Sequence, residues 1–365
     1  VDRAQWGLSG TGVGNEFSKT MRKYLSRWVA VVGVILTGPG MGMFAATFMV
    51  TNNAASGPGT LLAAMLAANA TPGPDQIHFN LPAASRTITP ATATPLPALT
   101  EDVVIDATTQ PGYAGVPLVE LSGANFAPLS GVNGLQIQAG GCVVRGLAIN
   151  RWKLVGILIS GGSNNIVEGC WVGLALSGTQ DAGNTFGGIF INSSPGNRIG
   201  GTMAAQRNVI SGNDESGILI RGIASVSNRV EGNFIGLNAT GSNIIPNSAD
   251  GISIEGAVST LIGGEAAGAG NVISGNTRSG IRLGIAPAAV RDSPFAENTR
   301  ILGNIIGLDP AGGVDRGNID DGILVGSAVG TVIGGTSPGA RNVISGNNND
   351  GIKLAGGNVG SVLQG

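Results

Sequence analysis

Ile199-Gly-Gly-Thr-Met-Ala-Ala-Gln-Arg-Asn-Val-Ile-Ser-Gly-Asn213 returns in altered form at Ile262–Asn276 and again at Ile333–Asn347. Each copy opens on Ile-Gly-Gly, spans fifteen residues and closes on Asn-Val-Ile-Ser-Gly-Asn. Self-similarity that preserves spacing as well as letters marks a stacked repeat architecture. A second signal runs through the same region. Gly-Ile-x-Ile, with Leu or Val variants, begins at Gly134, Gly156, Gly188, Gly217, Gly251, Gly280, Gly322 and Gly351. Each interval holds two further short strand signals, such as Asn228-Arg-Val and Asn233-Phe-Ile. Three short strands bounded by Gly or Asn are too short for useful hairpins, but they make one rung of a coil. Stacked rungs pair each strand with its equivalent in the next, about 4.8 Å away. The fold class expected is therefore all-β: a right-handed parallel β-helix, a solenoid of three short parallel sheets.

The longer rungs carry twelve-residue inserts at Gly173–Asn184, Gly236–Asn247 and Gly307–Asn318, expected to project from one corner on alternate rungs. The longest interval has an irregular excursion at Pro287–Glu297. Alignment of the rungs also predicts a ladder of inward-facing asparagines: Asn208, Asn233, Asn271, Asn304 and Asn342. A buried amide is costly unless paired, and amides stacked at strand spacing can pair with each other. Leu147 and Cys170 occupy this column in the earlier rungs. Cys142 aligns instead with Asn165, so the two cysteines are not placed for a disulfide.

The amino-terminal part reads differently. Residues 1–20 are expected to be upstream or non-native sequence, and 21–46 a signal peptide. Met21 is followed by Arg22, Lys23 and Arg27, an apolar stretch, and small residues ending at Ala45-Ala46. Residues 47–130 form an N-terminal cap and first coils, and 131–365 the regular repeats. Thr60 to Asn69 is expected as a short capping helix, with Leu62, Met65 and Leu66 on its apolar face. Alignment of Ser361–Gly365 with Asn228–Gly232 ends the chain partway through a rung, which suggests a carboxy-terminal truncation. The 365 residues include 63 Gly, with 12% charged residues and a net charge of −2. No three-residue glycine period is present, so collagen is excluded, and no basic cluster marks a nucleic-acid surface.

Thr51-Asn-Asn with Ser56-Gly-Pro-Gly-Thr-Leu61, then Pro72-Gly-Pro-Asp-Gln-Ile-His-Phe-Asn80, resembles the opening of exported bacterial right-handed parallel β-helix repeat proteins. Thr109-Gln-Pro-Gly112 and the Asn-Val-Ile-Ser-Gly-Asn units extend that resemblance from residue 47 to the end. It implies the pectin-lyase-like fold and a secreted or cell-surface location. It does not imply one activity, because that fold hosts lyases, hydrolases, adhesins and phage spikes.

The candidate catalytic residues are Asp320, Asp321 and Asp350. Asp321 and Asp350 precede the glycines of neighbouring rungs and should stack, as paired carboxylates for acid and base chemistry do. Asn318–Gly322 faintly resembles the Asp-Asp pair of polygalacturonase-type hydrolases, without their His-Gly and Arg-x-Lys segments. Asp before Gly is equally turn chemistry, the favoured reading, as at Asp250-Gly251. Binding candidates occupy the outward middle position of Gly-Ile-x-Ile: Leu158, Phe190, Leu219, Arg282, Leu324 and Lys353. The apolar part of this column, Leu158, Phe190, Leu219 and Leu324, is a binding surface unless a loop or insert covers it, and cover is the favoured reading. Trp152 and Trp171 could stack on sugar rings. His78 is expected to face outward between Ile77 and Phe79. No cofactor or metal set is expected, since the chain has one His and two Cys. The sequence favours an exported module acting as a structural or binding surface, with a polysaccharide or cell-surface component as partner. The alternative is a polysaccharide lyase or glycoside hydrolase.

Overall fold

The computed structural model describes residues 45–284 and 295–365. The chain winds as a right-handed parallel β-helix. Each full rung gives one strand to each of three parallel sheets, of eleven, nine and eight strands among the described residues. One rung runs Arg229–Glu231 in the first sheet, Phe234–Ile235 in the second and Ile252–Glu255 in the third. Pairing is in register from rung to rung, so a residue type repeated along the sequence becomes a column along the axis.

The inward columns are aliphatic. Ile199, Val230, Ile262 and Ile301 line the first sheet, and Val172, Ile210, Ile235, Ile273 and Ile306 the second. Ile218, Ile220, Ile252 and Ile254 line the third, and all of these side chains are fully buried. Each such side chain contributes roughly 1.5–3 kcal/mol by leaving water. That sum is set against the entropy of ordering the chain.

The asparagine ladder is present. Asn208 Nδ2 donates to Asn233 Oδ1 at 2.9 Å, and the chain of amides continues through Asn271 and Asn304 to Asn342. A second ladder, which the sequence reading did not find, joins Asn184, Asn213, Asn247, Asn276, Asn318 and Asn347. A third joins Asn165, Asn197 and Asn228. Each of the three corners of the coil thus carries a ladder, because the chain turns there and its backbone groups leave the sheet pattern.

The twelve-residue inserts do not project. Each folds back through a bridge, Leu174 to Asp181, Leu237 to Ile244 and Leu308 to Asp315, and the first two lie over the outer face of the second sheet. Leu174, Leu237 and Ile245 pack there on Trp171, Val209, Phe234 and Val272 in a second apolar cluster. Trp171 is buried in it, whereas Trp152 lies inside the coil with its Nε1 donating to Leu121 O. Neither tryptophan is available to a sugar, which corrects that expectation.

Strand β1 (Thr47–Val50), helix α1 (Leu61–Ala68) and strand β2 (Asp75–Phe79) open the coil. Thr60 caps α1 by accepting from Ala63 N, and the helix packs on β1 and β2. Its buried face is Leu61, Ala64, Met65 and Ala68. Leu66 is exposed, so the expected face is rotated by about one residue. His78 lies outward, beside Gln76. The expected upstream segment, most of the expected signal peptide and most of the Pro287–Glu297 excursion lie outside the described residues. Among those described, no helix is long and apolar enough to cross a membrane.

Candidate binding groove

The outward middle residues of the third sheet form a continuous column: Leu158, Phe190, Leu219, Ser253, Arg282, Leu324 and Lys353. The column is half-buried or exposed along its length except at Ser253, which is buried. A groove of about 360 Å³ opens over its middle. Phe190 and Leu219 form the floor, and Phe186, Glu215 and Arg278 stand along one rim. Arg221, Glu255 and Arg282 complete the lining.

The polar side of the groove is a linked set of charges. Arg221 Nε donates to Glu255 Oε2 at 2.6 Å, and its guanidinium lies 5.5 Å from the Phe190 ring centre. Arg282 Nη2 stands 3.7 Å from Glu255 Oε1, and Arg282 Nε stands 2.8 Å from Asp250 Oδ2. The second contact is an ion pair by distance only. The N–H is not directed at the oxygen, so neither atom completes a hydrogen bond. Asp250 is 1% exposed, and its other oxygen accepts from Ser279 N. Burial pushes the Asp250 carboxyl above its ordinary value, outweighing the nearby Arg282 and Arg278 charges that pull it down. The guanidiniums are held by carboxylates on one side and open to the groove on the other. Arranged this way, they can donate paired hydrogen bonds to hydroxyl or carboxylate oxygens. The Phe rings offer apolar faces to the C–H surface of a ring.

Three of the expected binding residues, Phe190, Leu219 and Arg282, line this groove. Leu158 adjoins it through its pairing with Phe190, while Leu324 and Lys353 continue the column one and two rungs beyond Arg282. Asp321 and Asp350 do stack, but as turn residues. Asp321 Oδ1 accepts from Asp350 N at 3.1 Å, as Asp250 Oδ1 accepts from Ser279 N one repeat earlier. It also accepts from Asn349 Nδ2, and Lys353 Nζ lies 3.9 Å from Asp321 and 3.6 Å from Asp350. Asp320 is exposed beside them. All three stand outside the groove lining.

Arg221, Glu255, Phe186, Glu215 and Arg278 were not singled out by sequence. Arg221 and Glu255 sit two residues beyond Leu219 and Ser253, so strand alternation carried that signal. The rim residues lie two positions after ladder asparagines, a relation visible only once the second ladder is known.

No protein-family model matches the chain, and no curated protein matches it by sequence. Among solved structures the chain is similar to the periplasmic alginate epimerase AlgG, at 17% identity and a TM-score of 0.42. That likeness covers 80% of this chain but 61% of the epimerase, so the chain spans about three fifths of that protein's length. It is also similar to an alginate lyase from Paenibacillus sp. str. FPU-7, at 15% identity and a TM-score of 0.42. The match covers 86% of this chain and 99% of the lyase. A third is the pectate lyase Pel9A, at 16% identity, a TM-score of 0.34, and 87% and 79% of the two chains. The assignment of the fold rests on the strand ladders described above.

Proposed function

We propose that the protein is an exported β-helix module whose third sheet binds an extended carbohydrate chain. The observation that carries this reading is the meeting of an apolar floor, Phe190 and Leu219, with a fixed Arg221–Glu255–Arg282 array in one groove. Apolar faces suit sugar rings, and carboxylate-held guanidiniums suit the oxygens around them. The groove lies across rungs, so its long direction follows the stacking axis and accommodates a linear chain. The direct test is calorimetric titration with a panel of polyuronates and neutral oligosaccharides. Binding by the parent that weakens at least about tenfold in Phe190→Ala and in Arg282→Ala, roughly 1.4 kcal/mol each, supports the reading. Unchanged affinity in both contradicts it.

Asp250 favours a second reading, as a polysaccharide lyase or glycoside hydrolase. Asp250 lies behind the groove lining, 1% exposed, but its carboxyl has a raised pKa and stands beside the lining residue Arg282, and perturbed groups of this kind mark functional sites. Incubation with the same panel, followed by detection of unsaturated products or new reducing ends, separates the two. Turnover abolished by Asp250→Asn supports the enzyme. Binding without turnover supports the module.

A further inference from the structure

Asp75, the first residue of β2, is fully buried, and its two oxygens are treated unequally. Oδ1 accepts from the backbone N–H of Ala46 at 2.7 Å. Oδ2 is buried with no partner among the described residues. Leaving a buried carboxyl oxygen unpaired is costly, and a polar group so placed calls for an explanation. Ala46 is itself fixed at the start of the first sheet, since its carbonyl accepts from Gln76 N at 2.8 Å. The residue before it, Ala45, is exposed.

We propose that export ends in a cut between Ala45 and Ala46, and that the freed α-amino group of Ala46 seats on Asp75. This rests on the exported reading above and not on the groove. The step is a hydrolysis by a signal-peptidase-type protease. Water adds across the Ala45–Ala46 peptide bond, the C–N bond breaks, Ala45 leaves with a carboxylate, and Ala46 gains an ammonium group. A peptide nitrogen offers Asp75 one N–H, whereas an ammonium offers three together with a positive charge. The orphan Oδ2 then gains a donor. The geometry also separates this cut from its neighbours. A cut after Ala46 removes both the amide that holds Asp75 Oδ1 and the carbonyl that holds Gln76, and leaves the carboxyl without either partner. A cut further upstream keeps a peptide nitrogen at Ala46 and leaves Oδ2 unpaired. In sequence terms, cutting after Ala45 keeps a small residue at the cut and moves the aromatic Phe44 out of the third position before it, which Met43 then fills in place of the small residue usual there.

The test is expression of the full chain, and of the chain translated from Met21, in a Gram-negative host, with intact-mass and amino-terminal sequencing of the processed protein. A mature chain beginning at Ala46 is expected. A chain beginning elsewhere overturns the cut while leaving export intact, and a chain that is neither exported nor processed overturns both. Asp75→Asn supplies the second readout. It is expected to lower the Tm of the processed form by about 4 °C more than that of the unprocessed form. An equal loss in the two forms shows that Asp75 serves only the peptide N–H and overturns the seat.

Discussion

At the scale of single residues, Asp250 shows how position in the coil sets chemistry. It occupies the same turn position as Ser216, Ser279, Asp321 and Asp350, one before the glycine that starts a third-sheet strand. Only at Asp250 does an arginine of the next rung lie over the carboxyl. Burial raises its pKa above the ordinary 3.8. Between 3.8 and the folded value the native state therefore holds more proton than the unfolded chain, so this group's contribution to stability declines as pH rises through that window. Thermal unfolding of the parent and of Asp250→Asn across the acidic range should show the parent losing ground to the variant as pH increases. A difference that stays constant would contradict the assignment. The cysteines give a second residue-scale expectation. Burial pushes the Cys170 thiol up to about 12 and the Cys142 thiol to about 11. Both should resist a thiol reagent at neutral pH in the native protein and react together on unfolding.

Among elements, the corners matter as much as the strands. Asn271 donates to Asn304 Oδ1 and Val230 O, and accepts from the backbone and side-chain nitrogens of Asn233. Asn271→Ala leaves several of those groups buried without partners and should cost about 2–4 kcal/mol in denaturant unfolding. The third ladder offers the reverse experiment. Past Asn228 its column continues as Thr260, Thr299 and Thr331, whose hydroxyls are buried without partners. Thr260→Asn extends the ladder by one amide and should raise stability by about 1 kcal/mol. The glycines of the Ile-Gly-Gly phrase have a related cause. Gly200, Gly263 and Gly334 all take φ near +80°, and a Cβ there would meet a carbonyl of the next rung. This is why the phrase repeats its letters as well as its spacing. The first ladder was legible because its asparagines always begin the same strand triplet. The second was not, because its members come from two contexts, the hexamer's last residue and the insert's last residue, which only the folded corner brings into one column.

For the whole molecule, rung stacking decides which faces remain open. The repeat period was enough to read a parallel β-helix, since in-register columns follow from any regular three-strand rung. It was not enough to say which sheet the inserts cover, because that depends on the direction a loop takes at its corner. The inserts bury Trp171 and Phe234 over the second sheet, and the third sheet keeps Phe190, Leu219 and Arg282 on a groove. Three of the twelve residues lining the groove, Phe190, Leu219 and Arg282, were legible as an outward stripe. Arg221 and Glu255, with the Phe186 rim, needed the columns beside that stripe. The measurement that bears most directly on the proposed role is a crystal structure of the protein with the tightest-binding oligosaccharide of the panel. Sugar rings are expected along the third sheet, over Phe190 and Leu219, with oxygens bonded to Arg221 or Arg282. Sugar bound on another face, with the groove between Phe186 and Arg282 left empty, would contradict it.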